Sequence, residues 1–203
     1  MKHYTKKDIA SWERFYRANF INCLSGFKSA TLIGSINPDG IPNLAIFSNI
    51  VHIGADPALI GFINRPLKAA PHTIGNIESN QWYTMNHIPI PLIKKAHQTS
   101  ARYAKHESEF EKTGLTIEWK ENKKAPFVAE SSIRYLMKLV EIIPIKHNNS
   151  FLIIGSVEEI YIEDPIVDED GFIHIEKAGS ITSLGIDAYY ETNLLSRFAY
   201  AKP

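Results

Sequence analysis

Polar side chains are set into an apolar, strand-like segment at residues 43–49, which has the sequence NLAIFSN. Asn43, Ser48 and Asn49 carry hydrogen-bonding groups, and burying one such group without a partner costs about 1–3 kcal/mol. These groups therefore need a partner that the segment itself does not supply. We predict that this strand carries the flat body of a ligand.

An arginine and a hydroxyl stand close to a predicted helix N-terminus. Arg65 follows the strand-like run 58–63, and Thr73 lies in the segment 71–77, which is typical of a helix start. Guanidinium groups, hydroxyls and free backbone N–H groups all donate hydrogen bonds to anionic oxygen. This turn is therefore predicted to bind a phosphate group.

Each of these features also has a simpler interpretation. Ser48 and Asn49 could be a hydrogen-bonding pair at a strand end, and Arg65 could be a surface arginine in a turn. The charged residues at 106–111, Glu109 among them, are predicted to form the solvated face of a helix. The histidines show no paired spacing such as His-Glu-x-x-His, so no metal site is predicted. No residue is assigned a catalytic role.

Charge and cysteine content narrow the function classes. Among the 203 residues, 22 lysines and arginines balance 22 aspartates and glutamates, and no block of like charge indicates a nucleic-acid or anionic lipid surface. The single cysteine, Cys23, excludes an internal disulfide and favours a reducing compartment. No apolar run is long enough to span a membrane. We expect a cytoplasmic protein with neither nucleic acid nor membrane as its partner.

Alternating apolar residues and turn motifs predict an antiparallel sheet. Residues 37–40, Asn-Pro-Asp-Gly, supply the turn of a hairpin, and Gly155 is predicted to mark a bulge or a close backbone approach. Helices are predicted at 6–19, 73–78 and 100–113, and strands at 28–36, 41–50, 58–63, 81–86, 131–145 and 151–162.

These elements favour a mainly β fold with flanking helices, because hairpin-type turns join the strands and no strand–helix–strand unit repeats. No Gly-rich fingerprint follows a strand, which argues against a doubly wound nucleotide fold. We predict a single domain over residues 1–203. It consists of an N-terminal helix at 1–24, an antiparallel barrel at 25–165 and a C-terminal tail at 166–203. An insertion at 87–126 is predicted to act as a lid or a partner-facing arm.

Four motifs between residues 29 and 164 are specific enough to compare with a family: PNLAIFSN at 42–49, DPALIGF at 56–62, NRP at 64–66 and HTIGNI at 72–77. They resemble the motifs of the flavin reductase family. The resemblance implies an FMN-binding, antiparallel split β-barrel of Greek-key type that works as a homodimer. It implies that Phe47, Ser48 and Asn49 line the isoalloxazine and ribityl chain, and that Arg65, His72 and Thr73 hold the phosphate. The full set of implied cofactor-binding residues is Ala45, Ile46, Phe47, Ser48, Asn49, Asn64, Arg65, His72 and Thr73.

The resemblance implies an FMN-binding oxidoreductase that reduces flavin with NADH or NADPH and supplies a monooxygenase partner. A flavin enzyme takes its hydride chemistry from the cofactor, so the lack of a catalytic triad is compatible with this function. Two alternatives stay open. One is a non-catalytic flavin- or haem-binding protein on the same barrel, and the other is an interaction protein that has lost the ligand.

Overall fold

The computed structural model describes residues 1–121 and 124–202, so two residues of the predicted insertion lie outside it. In this part of the chain, no helix has both the length and the apolar composition that a transmembrane span requires. The helices are α1 (Lys6–Ser11), α2 (Arg14–Leu24), α3 (His72–Asn80), α4 (Ile93–Gln98) and α5 (Glu109–Thr113). The strands are β1 (Lys28–Ser29), β2 (Thr31–Ile36), β3 (Pro42–Phe47), β4 (Ile50–Ala55), β5 (Ala58–Asn64), β6 (Trp82–His87), β7 (Ile117–Glu118), β8 (Phe127–Val128), β9 (Ile133–Ile145), β10 (Ser150–Ile162), β11 (Thr182–Leu184) and β12 (Ala188–Tyr190).

Seven antiparallel strands form one large sheet in the order β3-β2-β6-β9-β10-β5-β4. The sheet curls on itself and brings its two edges together. Phe47 on the edge strand β3 packs against Phe62 on β5, next to the opposite edge, with ring centroids 4.9 Å apart. Apolar side chains from both ends of the sheet fill one interior cluster, which includes Ile33, Met85 and Ile153. The predicted mainly β, antiparallel fold with flanking helices is confirmed.

Two local predictions are confirmed, one for the hairpin turn at residues 37–40 and one for Gly155. In the first hairpin turn, the side-chain oxygen of Asn37 accepts a hydrogen bond from the Ile41 N–H at 2.8 Å. The pairing of β9 with β10 shifts register at Gly155. A Cβ atom on this glycine would lie 2.2 Å from the Tyr83 hydroxyl oxygen, so no larger residue fits there without movement.

The N-terminal segment differs from the single helix predicted at 6–19. It forms two helices, α1 and α2, separated at Trp12 and Glu13. The Glu13 carboxylate accepts hydrogen bonds from the N–H groups of Phe15 and Tyr16 and so caps the second helix. The apolar residues keep a helical spacing across this break, so the spacing alone does not show that Glu13 caps and starts a second helix.

The helices of the insertion lie in different places from the one predicted, and α4 at Ile93–Gln98 was not predicted. A helix was predicted at 100–113, but only its last part, α5, is helical. Gly114 ends α5 in the left-handed conformation, with φ of +66°. Residues 99–103 instead run irregularly along the surface of a cavity described below.

The predicted C-terminal tail, residues 166–203, also holds regular structure. Strands β11 and β12 pair with each other, and β11 pairs with β1, which gives a separate three-stranded sheet. This small sheet brings the segment 183–189 to the same cavity.

Candidate functional site

A cavity of about 350 Å³ lies outside the edge strand β3. Its first wall is β3 with the connection to β4, and its second is the loop after β5 with the start of α3. Two segments close the opposite side, 97–103 from the insertion and 183–189 from the C-terminal sheet. The volume falls within the range of about 300–1,000 Å³ that small-molecule sites occupy.

The β3 wall brings together five of the predicted cofactor-binding residues: Ala45, Ile46, Phe47, Ser48 and Asn49. The strand ends at Phe47, so Ser48 and Asn49 lie in the connection to β4 and not within one long strand as predicted. Backbone bonding fixes this connection, since the Asn49 carbonyl accepts a hydrogen bond from the Ile63 N–H at 3.1 Å. Within the described residues, the side chains of Ser48 and Asn49 have no hydrogen-bond partner. Their polar groups are therefore available to a ligand.

The second wall concentrates positive charge at the start of α3. Arg65, Lys68 and His72 all line the cavity. Among the described residues, the exposed guanidinium of Arg65 has no hydrogen-bond or ion-pair partner. No side chain caps the N-terminus of α3, so its first backbone N–H groups and the positive end of the helix dipole face this region. This end of the cavity suits an anion such as a phosphate.

Two predicted site residues, Asn64 and Thr73, use their side chains in internal hydrogen bonds. Asn64 does not line the cavity; it is fully buried, and its side-chain N–H₂ donates to the carbonyls of Arg65 at 2.7 Å and Ala70 at 3.0 Å. It therefore shapes the loop that carries Arg65. Thr73 does line the cavity, but its hydroxyl donates to the Asn43 side-chain oxygen at 3.3 Å. That proton is used internally, so Thr73 has its backbone N–H to offer a phosphate.

The opposite side of the cavity holds a hydrogen-bonded pair that sequence reasoning missed. The Nδ1 atom of His97 lies 2.8 Å from the hydroxyl oxygen of Tyr189. Burial raises the pKa of the Tyr189 hydroxyl, and the nearby Asp187 carboxylate adds to that effect. The two residues lie 92 positions apart in sequence, and no local motif connects them. Arg102 and Tyr103 line the same side.

Glu109 corrects the prediction of a solvated acidic helix face. Its exposed fraction is only 4%, and it lines the cavity. Burial raises the pKa of its carboxyl group, while hydrogen bonds from Leu44 and Asn43 and the charge of His72 act in the opposite direction. The described residues contain no group of three or more His, Cys, Asp or Glu side chains that could hold a metal ion.

The cavity offers polar side chains and a cationic helix N-terminus to a ligand with an anionic group. Comparison with known proteins shows which family has such a chain. Residues 25–178 match the family described as flavin reductase like domain. A crystal structure of a proposed flavin reductase with a split barrel domain, from Shewanella frigidimarina, is 44% identical to this chain with a TM-score of 0.95, and the match covers 99% of this chain and 100% of that one.

Two further proteins extend the comparison. Component B of nitrilotriacetate monooxygenase from Bacillus cereus has the same fold, with a TM-score of 0.85 at 20% identity over 98% of each chain. An uncharacterized protein of Aquifex aeolicus is 30% identical over 155 residues, which are 75% of this chain and 78% of that protein.

The segment that matches the family contains the β3 wall, Arg65 and the start of α3. The Shewanella structure confirms the split-barrel fold that the sequence motifs implied. These matches support a flavin-related oxidoreductase as the function class. The chain belongs to the flavin reductase like domain family.

Proposed function

We propose that this protein binds FMN in the cavity beside β3 and reduces it with NADH or NADPH. One observation carries the proposal. The cavity combines hydrogen-bonding side chains without internal partners among the described residues, Ser48 and Asn49, with a cationic helix N-terminus, where Arg65 and His72 lie. FMN has the matching chemistry, since it joins a flat ring with polar edges to a phosphate.

Each wall then has a separate binding task. Phe47, Ser48 and Asn49 hold the ring system and the ribityl chain, while Ala45 and Ile46 supply apolar contact. Arg65 binds the phosphate through its guanidinium, and His72 and the N–H groups of α3 add further donors. When bound, FMN supplies the hydride chemistry, so the protein needs to orient and shield it and needs no side-chain acid at the reacting atom.

The nicotinamide enters from the side that faces β3. The segments 97–103 and 183–189 form that side, and the hydrogen-bonded pair of His97 and Tyr189 presents polar atoms there. Arg102 on the same segment is exposed, and a cation at this position favours a phosphate-bearing electron donor. A nicotinamide site on this side gives the segments 97–103 and 183–189, which lie outside the barrel sheet, a role in the function.

A second copy of the chain and a monooxygenase are the proposed partners. Large apolar side chains are strongly exposed in the isolated chain, including Phe15 at 70%, Phe27 at 61%, Leu195 at 96% and Phe198 at 89%. Exposed apolar surface of this kind favours association, which supports a homodimer. Light scattering at micromolar concentration tests this, and a monomer that still binds FMN would contradict it. The likeness to a monooxygenase component supports delivery of reduced flavin to an oxygenase.

The test of the proposed function is an anaerobic absorbance experiment. Protein loaded with FMN is mixed with NADH and, separately, with NADPH. We expect the oxidised flavin absorbance to bleach within turnover time with at least one donor, and faster than for free FMN under the same conditions. Bound FMN that neither donor bleaches would indicate a flavin-binding protein without reductase activity. Failure to take up FMN would contradict the proposed function.

A further inference from the structure

A buried carboxylate from the insertion reaches the edge strand of the barrel. Glu109 is the first residue of α5, and its Oε2 atom accepts hydrogen bonds from the Asn43 side-chain nitrogen at 2.7 Å and the Leu44 backbone nitrogen at 3.0 Å. Its helix neighbour Glu111 is exposed. Burying a carboxylate is costly unless hydrogen bonds compensate it, so these two bonds define the position of Glu109.

One of the two bonds satisfies the edge of the sheet. Strand β3 is the last strand on its side of the barrel sheet, and such a strand presents backbone N–H groups that no neighbouring strand can bind. Glu109 accepts the bond from Leu44 in place of a missing strand. The insertion is thereby attached to the strand that forms the main wall of the cavity.

The other bond sets the orientation of an amide. A carboxylate only accepts hydrogen bonds when ionised, so Asn43 must turn its nitrogen toward Glu109 and its oxygen away. That oxygen accepts bonds from the hydroxyls of Ser35 and Thr73, both at 3.3 Å. Asn76 donates to Ser35 at 3.1 Å. Glu109 therefore orients the Asn43 amide, and this amide in turn binds two residues of α3. Thr73 donates to it directly, and Asn76 is linked to it through Ser35.

We propose that Glu109 is a positioning residue for the phosphate end of the cavity. It acts through Asn43 on Thr73, in the first turn of α3, and so places the helix N–H groups that receive the phosphate. Asn43, Thr73 and Glu109 all line the cavity, which brings this chain of contacts to the ligand. The inference rests on the proposed function, since it assumes that a flavin phosphate binds at α3.

The test compares FMN with riboflavin, which lacks the phosphate, in Glu109→Ala, Glu109→Gln and the control Glu111→Ala. Dissociation constants are measured by quenching of flavin fluorescence. The alanine variant loses both hydrogen bonds, and we expect FMN to bind about tenfold more weakly while riboflavin changes by less than about threefold. Glutamine offers an amide oxygen to the same two donors, so it should restore FMN binding. Glu111→Ala should leave both constants unchanged.

A general structural role would produce a different pattern. Equal weakening of both flavins, or no weakening of FMN, in Glu109→Ala would overturn the inference and leave the proposed function standing. If Glu109→Ala does not fold, Glu109→Asp gives the same comparison, because its carboxylate is withdrawn from β3 by one methylene. Selective loss of FMN in that variant supports the inference, and equal loss overturns it. A wild-type protein that binds neither flavin would refute the proposed function and this inference together.

Discussion

Removing the guanidinium of Arg65 should separate phosphate recognition from flavin-ring recognition. Arg65 is exposed and has no hydrogen-bond or ion-pair partner among the described residues, so Arg65→Ala should leave the fold unchanged. A charge-assisted hydrogen bond contributes about 1.5–3 kcal/mol, which corresponds to a loss of about ten- to a hundredfold in FMN affinity. The loss should be partial, because His72 and the N-terminus of α3 still bind the phosphate.

The assay is a fluorescence titration of FMN and riboflavin against the wild type, Arg65→Ala and Arg102→Ala. Arg102 is also exposed and lines the same cavity, but it lies on the segment assigned to the nicotinamide. We expect Arg65→Ala to lower FMN affinity and to leave riboflavin affinity nearly unchanged, whereas Arg102→Ala should change neither. Equal loss of both flavins in Arg65→Ala would mean that Arg65 supports the fold. Selective loss of FMN in Arg102→Ala would place the phosphate on the opposite side.

Three further predictions follow from local geometry. Asn49→Leu should weaken binding of both FMN and riboflavin by about 1–3 kcal/mol without lowering the thermal midpoint, and unchanged affinity would exclude this residue from the site. Gly155→Ala should destabilise the fold by about 1–3 kcal/mol in urea unfolding, because its Cβ would lie 2.2 Å from the Tyr83 hydroxyl oxygen. Its control, Gly75→Ala, has open space in a helix and should stabilise the protein by about 0.5–1 kcal/mol. Burial raises the pKa of the Glu109 carboxyl group in the folded protein above its ordinary value of 4.5. The folded state therefore binds this proton more tightly than the unfolded state does. The resulting stability is fully present below pH 4.5 and is lost as the pH rises through the folded-state pKa. Urea unfolding across this range should therefore show the wild type losing stability relative to Glu109→Gln, and parallel curves would contradict the raised pKa.

The sequence was sufficient for the parts of the fold that local patterns determine. The hairpin turn at Asn37 to Gly40 follows from side-chain and glycine chemistry within four residues. The close approach at Gly155 was predicted from one glycine in an apolar strand, although its contact with Tyr83 was not. The β3 wall and Arg65 were also recognisable, because each lies within a short continuous motif.

The remaining site could not be predicted because it depends on contacts between distant segments. Glu109 carries the same charge as Glu111 and lies in the same helix, but Glu109 is buried against β3, where it contacts Asn43 and Leu44, 66 and 65 residues away in sequence. His97 lies at the end of the insertion helix α4 and Tyr189 in strand β12 of the small C-terminal sheet, so only the tertiary structure brings them together. In both cases the tertiary structure decides whether a polar side chain faces water or the cavity.

The most direct test of a flavin site at β3 is a crystal structure of the protein soaked with FMN. We predict that the ring lies against residues 45–49 and that the phosphate oxygens lie about 3 Å from the Arg65 guanidinium and the first N–H groups of α3. A flavin bound outside this cavity, or one whose phosphate contacts Arg102 instead of Arg65, would contradict the assignment.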